Sequence, residues 1–184
     1  MTKHGASAAV EAAPAADGTL PPDELLVRTF NELRDELVST LLFVLADADA
    51  AQDAAQETFL KCWRSRQGLA EVRNLRAWIF RVGLNAAKDF QRSAWKRRAR
   101  PLLGEHAMVM GSEPAPLESM EQRESVERVR LAIHGLRQEE KEVFLLRQNG
   151  DLTYEQIAEI RKSPVGTVKT QMRSALQKLR KVLA

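Results

Sequence analysis

The chain has 184 residues, 44% of them hydrophobic, enough to fill one ordinary core or two small ones. Its formal charge of +3 is unevenly spread: no acid follows Glu159, where Arg161, Lys162, Lys169, Arg173, Lys178, Arg180 and Lys181 stand, and a second basic block runs Lys88, Arg92, Lys96, Arg97, Arg98, Arg100, with Asp89 its only acid. The single Cys62 excludes an intramolecular disulfide, no Cys/His cluster has zinc spacing, and the longest apolar run, Leu41 to Ala46, is too short to span a membrane.

Two separate positive patches point to one extended anionic partner. Glu11, Pro14 and Asp17 interrupt any apolar core of the kind a signal peptide needs, so a cytoplasmic location is expected. Residues 1–24 are rich in Ala, Gly and Pro without helical periodicity and read as a flexible tail. From Leu25 the pattern changes: Leu26, Phe30, Leu33, Leu37, Leu41 and Val44 form one apolar stripe of a helix. Asp47, Asp49 and Asp53 then open a second helix, where negative charge suits the macrodipole. Its buried face is Ala55, Phe59 and Cys62, an inert core thiol, which leaves Asp53, Gln56 and Glu57 on another face. Spacing alone favours a solvated helix surface for that patch.

Gln67 to Asn74 lacks periodicity and reads as a loop, with Asn74 as N-cap of a third helix. That helix should turn Trp78, Ile79, Val82, Ala86 and Phe90 inward and carry Arg76, Arg81, Asn85, Lys88 and Arg92 elsewhere. Trp63 and Trp78 are expected in the core, and Trp95 sits among basic residues. A linker is expected over 101–124, through Gly104, Gly111, Pro114 and Pro116 into an acidic stretch. Val126, Val129, Ile133 and Leu136 begin a new helix; Val143, Phe144 and Leu146 lie on the next, which Asn149-Gly150 terminates. Thr153 and Gln156 form a capping-box pair, and Ser163-Pro164 supplies an N-cap followed by proline at the first helical position. Val168, Met172, Leu176, Leu179 and Leu183 complete the last stripe. No segment alternates, so the chain is expected to be all-α, two small helical domains joined by a flexible linker.

The run from 153 to 176 has the form of a helix-turn-helix, in which one helix props a second across the DNA backbone so that its N-terminal half reaches base edges in the major groove. Ile157, Ala158, Val165 and Val168 would lock the pair, leaving Thr167, Lys169, Thr170 and Arg173 outward to meet bases or phosphates. A helical hairpin with a basic solvent face fits the same pattern.

LTYEQIAEIRKSPVGTVKTQMRSALQKLRKVL resembles the C-terminal promoter-binding domain of the extracytoplasmic-function (ECF) sigma factors of bacterial RNA polymerase. The runs DAAQETFLKCWR and LRAWIFRVGLNAAKDFQR resemble that family's N-terminal domain, so the resemblance covers roughly residues 25 to 184 in the right order. It implies a dissociable initiation subunit with no catalytic residue, metal or cofactor: sigma region 2 over 25–100, a linker over 101–124 and sigma region 4 over 125–184. Core RNA polymerase and promoter DNA are the implied partners, together with an anti-sigma factor that no residue here identifies. Asp53, Gln56 and Glu57 would contact the clamp coiled coil of polymerase. Asn85, with the loop around Gln67 to Leu75 and its Arg73, would capture an unstacked base of the −10 element, and Lys88 and Arg92 would hold its phosphates. Thr167, Lys169, Thr170 and Arg173 would read the −35 element as duplex.

The chain departs from the family pattern at Arg161 and Lys162, where leucine and glycine are frequent, and at Gln171, where arginine is frequent; these are the positions where promoter preference is expected to differ. About 25 flexible residues span roughly 25–30 Å, whereas groove sites two turns apart lie about 70 Å apart. The free protein is therefore expected to bind full promoters poorly until polymerase spaces its halves. On residues alone, a stand-alone helix-turn-helix regulator or a helical adaptor remains open, but neither requires the 53–57 patch or the 78–92 helix.

Overall fold

The structure, a computed structural model, describes residues 20–98 and 120–183, with side chains 94–98 and 120–123 left undescribed. Most of the expected tail and linker, and Trp95, Lys96, Arg97, Arg98 and Arg100, therefore lie outside the description. The described residues are helical and include no strand, as expected: α1 (Pro22–Leu45), α2 (Ala48–Arg64), a 3-10 helix (Arg66–Glu71), α3 (Leu75–Arg98), α4 (Met120–His134), α5 (Gln138–Gln148), α6 (Tyr154–Arg161) and α7 (Val165–Leu183).

Helices α1 to α3 pack as one bundle. Pro22 at the first position and Asp23 and Glu24 in the first turn suit the start of α1. Its buried stripe is the expected one, Leu26, Phe30, Leu33, Leu37, Leu41 and Val44, with Thr40 added, whose hydroxyl donates to the Glu36 carbonyl at 2.8 Å. Asp47 caps α2 by accepting the Ala50 N–H at 2.9 Å. Small residues Ala51, Ala54 and Ala55 let α2 approach closely, and Cys62 is fully buried, its thiol pushed up to about 12 by loss of solvent, which keeps it unreactive at neutral pH.

Helix α3 is rotated from the expected face. Ile79 and Ala86 are buried, but so are Phe80, Gly83, Leu84 and Ala87, while Trp78, Val82 and Phe90 are only half-buried. The cause is that α3 packs against both α1 and α2, so its buried band is wider than one stripe. Gly83 marks a close approach: a Cβ there would stand 2.8 Å from Leu37 Cδ1. The expected loop is largely the 3-10 helix, closed by Phe59 stacked on Trp63 and by the Arg66 guanidinium 4.6 Å from the Trp63 ring. Trp63 and Trp78 are thus half-buried rather than in the core.

The second unit is built around α5. Helix α4 begins at Met120, inside the acidic stretch expected to be linker, so that Glu121 and Glu124 fall near a helix N-terminus. Helix α5 buries three consecutive charged residues, Glu140, Lys141 and Glu142. Glu140 receives Lys178 Nζ at 2.7 Å, Ser174 Oγ at 2.7 Å and its own N-cap N–H, from Arg137, at 3.1 Å, which ties α5 to α7. Helix α5 ends at Asn149, as expected; Gly150 is required because a Cβ would lie 2.5 Å from the Leu146 carbonyl oxygen.

The two units are seated against each other. Asn149 Nδ2 donates to Thr40 Oγ1 at 3.2 Å, Arg76 donates to the Gly150 carbonyl at 3.1 Å, and Lys88 Nζ lies 3.8 Å from Glu142 Oε2. Phe43 of α1 packs on His134 of α4, with ring centroids 5.7 Å apart.

Burial alone would raise the Glu140 carboxyl, but its bonds from Lys178, Ser174 and the Arg137 N–H outweigh it and hold the group below the ordinary 4.5. A lowered folded value adds stability that is full above 4.5 and lost as pH falls through it. Glu140→Gln should therefore lower stability at neutral pH and flatten the loss of stability below pH 4.5, as read by denaturant melts across pH.

Candidate nucleic-acid interface

The helix-turn-helix forms from its own caps. Thr153 N–H donates to Gln156 Oε1 at 2.8 Å while Gln156 N–H donates to Thr153 Oγ1 at 3.2 Å, the expected capping box. Lys162 ends α6 in the left-handed region, at φ 51°, where its N–H reaches the Glu159 carbonyl at 3.3 Å. The expected Ser163 cap is not made. The Pro164 carbonyl accepts from Thr167 N–H at 3.0 Å and Val168 N–H at 3.2 Å, so α7 begins at Val165. Pro164 thus holds the cap position, and the Ser163 hydroxyl, one residue too early, is buried without a partner.

Ile157, Ala158 and Val168 are buried between the two helices, and Val165 is half-buried against them. Thr167, Lys169, Thr170 and Arg173 are all exposed on α7. The Thr170 hydroxyl donates to the Gly166 carbonyl at 2.9 Å, which leaves its methyl and lone pairs outward. Lys169 Nζ lies 5.9 Å from the Tyr154 ring, and Arg147 covers the same ring at 5.8 Å, so Tyr154 links α5, α6 and α7. Lys169 and Arg173 also line a groove with Arg180 and Lys181, floored by Met172 and Leu176.

Arg161 is not a free basic side chain of the turn. Its Nε lies 3.3 Å from Glu142 Oε2, and its Nη1 donates to the Glu139 carbonyl and to Gln171 Oε1, each at 2.8 Å. Its side chain is only 12% exposed. Glu142 also accepts from Gln138 Nε2 at 3.1 Å. This cluster escaped the sequence reading because its members lie far apart along the chain.

On the other unit, Asn74 Oδ1 accepts the Ala77 N–H at 2.8 Å, the expected N-cap of α3. Beside it opens a cleft of about 270 Å³, lined by Arg73, Asn74, Trp78 and Arg81 and closed on its far side by Gln156, Glu159 and Ile160 of α6. The first helix of the helix-turn-helix therefore stands over the loop expected to hold a −10 base. Asn85 is exposed one turn past Arg81 and does not line the cleft. Lys88 is half-buried beside Glu142, and the exposed Arg92 lies 3.7 Å from Asp89.

Asp53 and Gln56 are exposed on α2. Glu57, half-exposed, stands 3.9 Å from both Lys61 and Arg64. Among the described residues no three His, Cys, Asp or Glu side chains are grouped to hold a metal, and no helix is long and apolar enough to cross a membrane.

The architecture is that of a helical DNA-binding protein in two parts, with a helix-turn-helix at its C-terminal end. Residues 29–97 match the family description Sigma-70 region 2, and residues 132–181 match Sigma-70, region 4. The chain is 30% identical over 142 residues to the ferric citrate uptake sigma factor FecI of Escherichia coli, covering 77% of this chain and 80% of that one. It is 27% identical over 163 residues to the ECF RNA polymerase sigma factor EcfG of Rhodopseudomonas palustris, covering 83% and 86%. Its fold superposes with a TM-score of 0.70, at 20% identity, on the sigma factor RpoE of Bartonella quintana, solved with the anti-sigma factor NepR, covering 87% of this chain and 94% of that one.

The chain belongs to the ECF sigma factors of RNA polymerase, non-catalytic factors of promoter-specific transcription initiation. That membership displaces the stand-alone regulator.

A non-glycine residue in the left-handed region costs about 1–2 kcal/mol. Lys162→Gly should relieve part of this and raise the thermal midpoint of the protein, by roughly 1 kcal/mol of stability net of glycine's chain entropy. An unchanged or lower midpoint would contradict the strain at this turn.

Proposed function

We propose that the chain works in two states, closed in isolation and open on polymerase, with its residues divided between them. Asp53, Gln56 and Glu57 meet core RNA polymerase from the closed state. Once residues 25–100 and 125–184 separate along the 101–124 linker, Arg73, Asn85, Lys88 and Arg92 hold the −10 strand, and Thr167, Lys169, Thr170 and Arg173 read the −35 duplex. An anti-sigma factor, such as the Bartonella quintana relative carries in its solved complex, is the proposed partner of the closed state. The cytoplasm is the proposed location, where both polymerase and promoter lie.

The observation that supports this reading is a difference in access. Asp53 and Gln56 are exposed, whereas Lys88 is drawn toward Glu142 and the Arg73 cleft is walled by α6. A phosphate that replaces Glu142 at Lys88 offers the same charge, so opening onto DNA exchanges one charge-assisted contact for another. No −10 contact has to be made before polymerase is bound.

The test separates the two steps with purified protein and core polymerase. Asp53→Arg with Glu57→Arg should weaken core binding by about tenfold or more, since charge reversal places like charges at the contact. Asn85→Ala should leave core binding intact and depress promoter-dependent transcripts. If the reversal leaves core binding unchanged, the 53–57 assignment fails; if Asn85→Ala leaves transcripts unchanged, the −10 assignment fails.

A further inference from the structure

Arg161 reaches Gln171 without facing the DNA side of α7. Thr167, Thr170 and Gln171 lie at spacings of three and four and so share one side of that helix, with Thr167 and Thr170 exposed and Gln171 half-buried at the margin. A glutamine reads adenine through two bonds at once, its oxygen accepting from N6 and its nitrogen donating to N7. Here Arg161 Nη1 donates to Gln171 Oε1 at 2.8 Å, which uses one of its two lone pairs and fixes the direction of the amide. The guanidinium is itself held by the Glu139 carbonyl at 2.8 Å and by Glu142 at 3.3 Å, and is largely out of solvent. The amide is thereby pinned by its oxygen, and its N–H groups remain free for an acceptor such as a phosphate oxygen, a guanine edge or thymine O4.

We propose that Arg161 sets −35 preference without touching DNA, as a positioning residue that pins the Gln171 amide by its oxygen, keeps it from turning oxygen and nitrogen together onto one adenine edge, and so favours its donor side. This rests on the reading of α7 as the −35 helix. A point ammonium cannot span the Glu139 carbonyl, Glu142 and Gln171 at once, so lysine at this position keeps the charge beside Glu142 but releases the amide. The buried Glu142 therefore stays paired in the informative variant.

The experiment transcribes a library randomised across the −35 element, with the full chain and core polymerase, for the wild type, Arg161→Lys, Gln171→Ala and the double variant. Arg161→Lys should gain a preference of about tenfold for adenine at one −35 base pair, the scale of one bidentate base contact. The double variant should lose that gain, and the −10 preference should not move in any of the four. A fall in output that is uniform across −35 sequences would assign Arg161 to folding alone and overturn the proposal. So would an adenine gain that persists without Gln171, or a preference identical to wild type. Wild-type transcripts indifferent to the −35 element would instead sink the reading of α7 itself, and this inference with it.

Discussion

A carboxylate taken out of water has to be paired, and the arrangement of this protein follows from how Glu142 meets that requirement. The residue is 3% exposed on a helix whose neighbouring positions, Glu140 and Lys141, are buried too. Within its own unit it is held by Arg161 and Gln138, and across the seam by Lys88. The contact with Arg161 fixes α6 and the turn against α5, and the one with Gln138 lies within α5 itself. The third draws α3 toward the same carboxylate, and with Arg76 on the Gly150 carbonyl it sets α6 over the Arg73 cleft.

From that one constraint the surfaces sort themselves. Asp53 and Gln56 of α2 stay open, and so do Thr167, Lys169, Thr170 and Arg173 of α7. The loop and helix that would hold a single strand are the part that closure restricts. On the proposed division of residues, a protein so arranged finds polymerase before it opens DNA, and its two DNA-facing sets become usable together only when something else supplies the separation. The long contact between Lys88 and Glu142, at 3.8 Å and half-exposed on the lysine side, is weaker than the inner pair and is the natural place to part.

Much of this was legible in the residues. The α1 stripe, the Asp47 and Asn74 caps, the Thr153–Gln156 box and the exposed side of α7 all depend on spacing within one or two turns, where sequence and geometry are nearly the same thing. The rotation of α3 was not legible, because Phe80 and Gly83 are chosen by two neighbouring helices at once. Nor was the Ser163 cap, which Pro164 displaced by one residue. Glu140-Lys141-Glu142 has the composition of a solvated surface, and only the folded chain brings Lys178, Arg161 and Lys88 to it. Arg161 and Gln171 stood out as departures from the family pattern, but their contact with each other belongs to the structure.

The central claim is that the free protein is closed and that polymerase opens it, and a distance across the cleft measures this most directly. Arg81→Cys with Glu159→Cys puts spin labels on opposite walls, and the buried Cys62, with its thiol pushed up to about 12, stays unlabelled. Pulsed electron-electron resonance should give a short, narrow distance in the free chain, and core polymerase should lengthen it by tens of ångströms, toward the roughly 70 Å that separates groove sites two turns apart. A long, broad distance in the free chain, or a short one that persists in a transcribing complex, would contradict the account.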